Sequence, residues 1–370
     1  MRPLDGIRVL DFSTLVPGPL ATLLLAEAGA EVIKVERPGR GDEMRSYEPK
    51  FGVDAVNFGL LNRGKRSIAI DLKEPGAIDR LTPLLSSADV IVEQFRPGVM
   101  DRLGLGYEAV RQINPRLIYC SITGYGQHGP RVDVAAHDLN YQAQTGMLTL
   151  AADAQGEPVV PAVLIADIAG GAYPAVLNIL LALRARDRSG VGSKLDISMA
   201  DNLFTLMYWG LGNGAAAGRW PKPGGEFVTG GSPRYRIYRT ADDRFLAAAP
   251  LEQKFWDQFC ALLQLPSALC DDAANPAATI AAIAEIVRGK TSDELLRLFA
   301  GHDVCCNIAA SLREARDDPH FAARAVFAQR LTAGEASMSA LPVPVAPAFR
   351  SSEAALGYPL LGEANDELLP

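Results

Sequence analysis

Two positions in the middle of the chain carry side chains suited to proton transfer. His137 stands beside Asp138 in the run Ala136-His137-Asp138, and histidine takes up and releases a proton near neutral pH. Asp167 begins a long apolar stretch, where Asp is also a favoured N-cap that would stay ionised. A carboxyl in an apolar pocket would instead donate a proton or act as a nucleophile. From these residue types alone, structural roles for His137 and Asp167 remain alternatives.

Basic residues recur beside strand-like runs in the first hundred residues. The clusters are Arg37 in VERPGRG, NRGKR at 62–66, Lys73 in DLK and Arg96 in QFRPG. Parallel strands would gather such charges at one sheet edge, where Arg matches the geometry of phosphate oxygens. The turn Ser13–Pro19 is either a further phosphate-binding site or a plain tight turn, since it lacks the GxGxxG pattern. Together these clusters predict an anionic, phosphorylated ligand.

Alternating apolar runs and helix-like segments predict an open α/β fold with a Rossmann-like large domain and a smaller α+β domain. Strands are expected at 7–10, 30–35, 67–72, 89–93, 117–122 and 194–197, with helices at 20–28, 77–86, 107–114 and 166–186. A hairpin and three helices are expected between 235 and 300. The predicted divisions are a large domain at 1–205, a linker at 206–230, a small domain at 231–330 and a tail at 331–370 that returns to the large domain.

Composition narrows the functional class. The 370 residues are 48% hydrophobic and 21% charged, with a net charge of -7, which is typical of a globular enzyme and argues against a nucleic-acid binder. No run has the pattern of a signal peptide or membrane span. Five scattered cysteines without a CxxC pair suggest reduced thiols and a cytoplasmic location. The four histidines lack metal-ligand spacing, so no metal is expected.

A series of motifs runs along nearly the whole chain. They are LDGIRVLDFSTLVPGPLAT, LAEAGAEVIKVERPGRGD, LNRGKRSIAIDLK, FRPGVMDRLGLGYE, NPRLIYCSITGYGQHGP, AHDLNYQAQTG, ADIAGG, YRTADDRFLAAAPLEQKFW, SLREARDDPHFAAR and LGEANDELL. Their order resembles the family III coenzyme A-transferases (CaiB/BaiF), and within them the α-methylacyl-CoA racemase branch. This resemblance implies the interlocked-dimer fold of that family, an acyl-CoA substrate, and no cofactor apart from the coenzyme A that belongs to the substrate.

The resemblance also implies roles for particular residues. Asp167 matches an Asp shared by the family, and His137 matches the racemase base, whereas transferases usually carry an aromatic residue at that position. Glu252, which alone reads as a helix start, matches the Glu that supports this histidine, and Asp138 belongs to the same catalytic set. Positions matching those that line coenzyme A are Arg37, Ile70, Asp71, Leu72, Lys73, Arg96, Ala136, Asn140 and Tyr141.

The implied activity is interconversion of 2R and 2S 2-methylacyl-CoA thioesters by 1,1-proton transfer through an enolate. His137 and Asp167 would serve the two faces of the α-carbon, and the enolate would be held near the helix N-terminus at Asp167. One alternative is an acyl-CoA:carboxylate CoA-transferase in which Asp167 is the nucleophile. Another is a silent acyl-CoA-binding protein. Ala136 stands where the racemase motif usually has Gly.

Overall fold

The computed structural model describes residues 2–153 and 155–370, which form two compact units. The first comprises 1–145, 162–206 and 319–370, and the second comprises 146–161 and 207–318. The stretch predicted as a linker at 206–230 contains the helix Tyr208–Ala217, and from residue 207 on it belongs to the second unit. The second unit also takes in 146–161, which the sequence offered no reason to separate from its neighbours.

A six-stranded parallel sheet forms the centre of the first unit, as the sequence predicted. Its strands are β1 (Arg8–Asp11), β2 (Glu31–Glu36), β3 (Arg66–Ala69), β4 (Val90–Glu93), β5 (Ile118–Thr123) and β6 (Ser193–Ser198). Their order across the sheet is β3-β2-β1-β4-β5-β6, with every neighbouring pair parallel. Because all six strands point the same way, the segments that follow them meet at one edge.

Helices cover this sheet and connect its strands. Those used below are α1 (Pro17–Glu27), α2 (Asp138–Gln144) and α3 (Tyr173–Ser189), and a π-helical segment, Ala166–Ala172, leads directly into α3. The other helices of the unit are Val56–Asn62, Ala77–Ser87, Val99–Arg102, Tyr107–Ile113, Met199–Leu206, Pro319–Ala323 and Asn365–Leu368, with short 3₁₀ turns at Glu43–Ser46 and Pro347–Phe349. Small sheets are formed by Lys50–Phe51 with Asp54–Ala55, and by Arg330–Ala333, Ala336–Ser339 and Ala355–Gly357.

The second unit combines a three-stranded antiparallel sheet with helices. Its strands are Arg236–Arg239, Phe245–Ala248 and Cys306–Ile308. Besides Tyr208–Ala217, its helices are Gln253–Leu263, Ser267–Cys270, Pro276–Arg288, Ser292–Phe299 and Leu312–Asp317, with a 3₁₀ turn at Met147–Leu150. Trp256, Phe259 and Ile283 are fully buried at its centre, so this unit has an apolar core of its own.

Buried charges distinguish the core of the first unit. Two residues of the predicted ligand-binding cluster NRGKR are not available to a ligand, because Arg63 pairs with Glu27 at 2.7 Å and Lys65 pairs with Asp11 at 3.1 Å, all four side chains being buried. Burial raises the pKa of Asp11, but attraction to Lys65 and Lys34 outweighs it and lowers that pKa to about 2. Desolvation lowers the pKa of Lys65 to about 8. Arg63 and Lys65 are therefore part of the buried core and do not bind phosphate.

The helical span Ala166–Ser189 is long and apolar enough to cross a membrane by length and composition. The sequence patterns had suggested no such span. In the fold, 44% of its most apolar 18-residue stretch is buried. Core helices of soluble proteins also reach this length and hydropathy.

Candidate active site

The carboxyl ends of the sheet strands surround a cavity of about 290 Å³ within the first unit. Five of the predicted site residues line it, namely Arg96, Ala136, His137, Tyr141 and Asp167. The rest of the wall is largely apolar or aromatic and includes Leu15, Pro17, Phe95, Ile122, Tyr125, Val132, Val134 and Met199. The apolar surroundings predicted for Asp167 thus come from these residues, whereas Val163 and Leu164, its neighbours in sequence, are exposed.

His137 is the N-cap residue of α2, and it is exposed to solvent while also lining the cavity. Its backbone N–H donates to Oδ1 of Asn140 at 3.0 Å, which is the reciprocal contact of a helix-capping turn. One turn further, the Tyr141 hydroxyl donates to the carbonyl oxygen of Ala136 at 2.8 Å. These contacts fix the backbone on both sides of His137. Asn140 is thus used for capping and lines neither of the two main cavities.

Asp138 connects the His137 segment to the Asp167 segment. Its buried Oδ1 accepts the backbone N–H groups of Ala166 at 2.7 Å and Asp167 at 3.0 Å, while Oδ2 accepts from Nε2 of Gln142 at 2.6 Å. Asp138 does not line the cavity. The expectation that these first N–H groups would hold an enolate is wrong for Ala166 and Asp167, because the Asp138 carboxylate already accepts both.

Asp167 is half-buried and faces the cavity without a hydrogen bond to its carboxylate from any described residue. It is not the N-cap, since Ile165 holds that position. Burial, and then the negative charge of Asp138, raise the pKa of Asp167 to about 7. A carboxyl with this pKa is present in both protonation states near neutral pH, so it can donate or accept a proton.

Two glycines let the π-helical segment lie directly against the start of helix Met199–Leu206. A Cβ added at Gly170 would stand 2.4 Å from the backbone oxygen of Met199, and one at Gly171 would stand 3.1 Å from the side chains of Met199 and Pro17. The Nδ2 group of Asn202 also donates to the Gly170 oxygen at 2.7 Å. This close approach sets where Asp167 stands relative to the cavity wall.

Gly170→Ala should therefore lower the free energy of unfolding by about 1–3 kcal/mol, because a backbone atom must move to accept the methyl group. The matched control is Gly212→Ala in helix Tyr208–Ala217, where an added Cβ meets nothing within 4 Å. That change should leave stability equal or raise it by up to about 1 kcal/mol, since Ala favours helix over Gly. Urea denaturation measures both, and equal effects of the two substitutions would contradict the packing account.

The turn after β1 supplies a further part of the wall through Leu15 and Pro17. Leu15 has a positive φ of 63°, a left-handed conformation that costs a residue with a Cβ about 1–3 kcal/mol. From its residues the sequence allowed either a phosphate-binding site or a plain tight turn here, and neither interpretation predicted the strained Leu15. The signal that sequence reasoning missed is Lys34, a charged residue between the apolar residues Ile33 and Val35 of the strand EVIKVE, which lies buried beneath the turn.

A second, larger cavity of about 680 Å³ lies near the end of β2 and is lined by Arg37, Arg40 and Tyr47, among others. Arg37 is exposed and its Nε donates to the Gly41 oxygen at 3.1 Å. The segment after β3 lines neither cavity: Ile70 is buried, Asp71 and Leu72 are half-buried, and Lys73 is exposed. Arg37, Lys73 and Arg96 all follow parallel strands, as expected for charges gathered at one sheet edge.

Glu252 belongs to the second unit, where it is the exposed N-cap residue of helix Gln253–Leu263. Its side chain accepts no capping hydrogen bond there, so the carboxylate is not committed to the helix. Its predicted support of His137 stays a prediction. Among the residues that the structure describes, no group of three or more His, Cys, Asp or Glu side chains could hold a metal ion.

The fold and the cavity are typical of an α/β enzyme whose site lies at the carboxyl edge of a parallel sheet, here with Asp167 and His137 in one cavity. A model of the CoA-transferase family III matches residues 4–365. The chain belongs to this family.

Relatives within the family have different activities. Alpha-methylacyl-CoA racemase from Mus musculus is 36% identical over 99% of this chain and 92% of its own length. Succinyl-CoA:glutarate CoA-transferase from the same species is 38% identical over 74% of this chain and 62% of its own length. The crystal structure of a CAIB/BAIF family protein from Brucella suis superposes with a TM-score of 0.82 at 30% identity, covering 99% of this chain and 98% of that one. Membership thus confirms the resemblance and the fold, while racemase and transferase activities both occur among the relatives.

Proposed function

We propose that this enzyme interconverts 2R and 2S 2-methylacyl-CoA thioesters by 1,1-proton transfer. The observation that carries the proposal is that His137 and Asp167, two separate acid–base groups, line one cavity. Inversion needs two such groups, because a single base tends to return the proton to the face from which it came. Similarity to a racemase over 99% of the chain supports the same activity.

In the proposed reaction one group removes the α-proton and the other delivers a proton to the opposite face. For one epimer His137 is the base and protonated Asp167 the acid, and for the other epimer the roles reverse. The pKa of Asp167, raised to about 7 chiefly by burial, allows the carboxyl to take either role near neutral pH. The intermediate is an enolate of the thioester, and the only carrier group needed is the coenzyme A of the substrate.

We assign the coenzyme A part of the substrate to the basic sheet edge. Arg96 lines the smaller cavity and Arg37 the larger one, and guanidinium groups match phosphate oxygens in pairs. The apolar wall around Leu15, Phe95 and Met199 suits an alkyl group beside the reacting carbon.

A CoA-transferase that uses Asp167 as nucleophile is the second candidate. It is favoured by the identity to a succinyl-CoA:glutarate CoA-transferase and by the absence of hydrogen bonds from the described residues to the Asp167 carboxylate, which leaves its oxygens free to attack. In this reaction the carboxylate would displace the CoA thiolate and form an acyl anhydride.

One assay separates the two candidates. The enzyme is incubated in heavy water with a panel of acyl-CoAs, some 2-methyl-branched and some unbranched, together with free carboxylates as acceptors. The proposed racemase incorporates deuterium at C2 of the branched substrates and yields both epimers, as read by mass and chiral separation. Transfer to the carboxylates with no exchange in any branched substrate would refute racemisation and establish the transferase.

A further inference from the structure

The backbone of the turn Ser13–Pro17 is held by a buried ion pair beneath it. Nζ of Lys34 donates to the Ser13 carbonyl oxygen at 2.7 Å and pairs with Oδ2 of Asp42 at 2.9 Å. The Asp42 carboxylate also accepts the Leu15 N–H, at 3.2 Å to Oδ1 and 3.3 Å to Oδ2. Both charged side chains are fully buried.

Leu15 would not keep its conformation without such support. Its φ of 63° is unfavourable for any residue with a Cβ, and strained conformations persist only where the surroundings determine them. Asp42 can hold Leu15 in this conformation, because two further hydrogen bonds fix the position of Asp42 itself. Its N–H donates to Oε2 of Glu36 at 2.9 Å, and its Oδ1 accepts the Met44 N–H at 2.9 Å.

The ion pair lies outside the smaller cavity, whereas Leu15 lines it together with His137 and Asp167. Lys34 lines neither cavity, and Asp42 lines only the larger one. The nearby Asp11, which pairs with Lys65, also acts on this turn, because its Oδ1 accepts the Ser13 N–H at 3.0 Å and the Ser13 hydroxyl. Lys34 and Asp42 can therefore affect an acyl group in the smaller cavity only through the turn that carries Leu15.

We propose that the buried Lys34–Asp42 pair is a positioning device that holds Leu15 against the acyl group, and that Leu15 thereby limits the size of acyl group the enzyme accepts. This inference rests on the proposed function in so far as an acyl-CoA must occupy the cavity. It assigns Leu15 to substrate contact and gives Lys34 and Asp42 no contact with the acyl group.

The test is a double-mutant cycle on acyl discrimination. Leu15→Gly, Lys34→Met and the double variant are compared for kcat/KM with 2-methylpropanoyl-CoA and with the bulkier 2-methyldecanoyl-CoA and 2-phenylpropanoyl-CoA. Leu15→Gly should raise the bulky-to-small ratio by roughly 10- to 100-fold, the effect of a few methylene groups of pocket wall. Lys34→Met should move the ratio in the same direction, and its effect should vanish in the Leu15→Gly background.

Two further variants keep the test decisive. Leu15→Ala removes the same side chain but retains the strained φ, so it should match Leu15→Gly in the ratio while unfolding at a lower temperature. Asp42→Asn keeps an oxygen for the Leu15 N–H and loses the ion pair, and it replaces Lys34→Met if that protein does not fold. An effect of Lys34→Met or Asp42→Asn that is the same with and without Leu15 overturns the positioning role.

Binding measurements separate this inference from the proposed function. Calorimetry gives the affinities of free coenzyme A and of each acyl-CoA for all variants, without requiring turnover. If no acyl-CoA is exchanged or transferred, the proposed function fails, yet a change in the bulky-to-small affinity ratio in Leu15→Gly still supports the inference. If every variant changes the affinity for each acyl-CoA by the same factor as the affinity for free coenzyme A, the acyl group does not contact Leu15 and the inference is overturned.

Discussion

His137→Ala should abolish interconversion of the two 2-methylacyl-CoA epimers while one epimer continues to exchange its α-proton with solvent. Without the imidazole, inversion should fall by roughly 10²–10⁴-fold, the contribution expected of a positioned acid–base group. Asp167 remains in the cavity, so the epimer that presents its α-proton to Asp167 can still form the enolate and take deuterium back on the same face. Chiral separation with mass detection in heavy water measures both rates.

Asp167→Asn is the matched variant, since it keeps the shape of the side chain and removes its acid–base function. It should also abolish inversion, but exchange should now persist in the opposite epimer, through His137. Exchange of the same epimer in both variants, or of both epimers in either one, would contradict two bases acting on opposite faces. A transferase working through Asp167 should instead lose its transfer activity in Asp167→Asn and keep much of it in His137→Ala.

The second large effect concerns pH. Inversion in one direction needs neutral His137 with protonated Asp167, and in the other it needs imidazolium with carboxylate. The two forms carry the same number of protons, so kcat/KM should follow one bell-shaped curve in both directions. A nucleophilic Asp167 must be ionised, so transfer should fall about tenfold per pH unit below pH 7, where its pKa lies, and level off above it. Initial rates from pH 5 to 9 distinguish the two curves.

Asp138→Asn tests the source of this pH dependence. The variant keeps Oδ1 as an acceptor for the Ala166 and Asp167 N–H groups and removes the negative charge that raises the pKa of Asp167. The pKa of Asp167 should fall, and the activity curve should move to lower pH with either reaction. An unchanged curve would show that burial alone raises this pKa.

Local patterns predicted the six strands of the central sheet and four of the helices that cover it, because each of these elements has a hydrophobic run or a turn signal of its own. The placement of Arg37 and Arg96 at one sheet edge followed from parallel strands alone. Residues whose roles depend on distant contacts were not predictable in this way. In the sequence, Arg63 and Lys65 cannot be distinguished from basic residues that bind a ligand. The structure shows that both are buried and paired with Glu27 and Asp11.

The same limit applies to the site. Asp138 stood out through its position beside His137, but its bonds to the Ala166 and Asp167 amides span 28 and 29 residues. No spacing rule encodes such a contact. Likewise, the strain at Leu15 becomes visible only in the backbone angle, since neither STLVPGP nor the distant Asp42 indicates it.

The bond network around Asp138 has a practical meaning for altering this enzyme. The Asp138 carboxylate joins the backbone beside His137 to the backbone of Asp167 through hydrogen bonds. A substitution that moves one of these two acid–base residues is therefore expected to move the other as well. The Leu15 turn is anchored elsewhere, through Lys34 and Asp42. A library that varies Leu15, and keeps Pro17 because it packs beside Gly171 of the Asp167 segment, would therefore search for new acyl preferences while the acid–base geometry is retained.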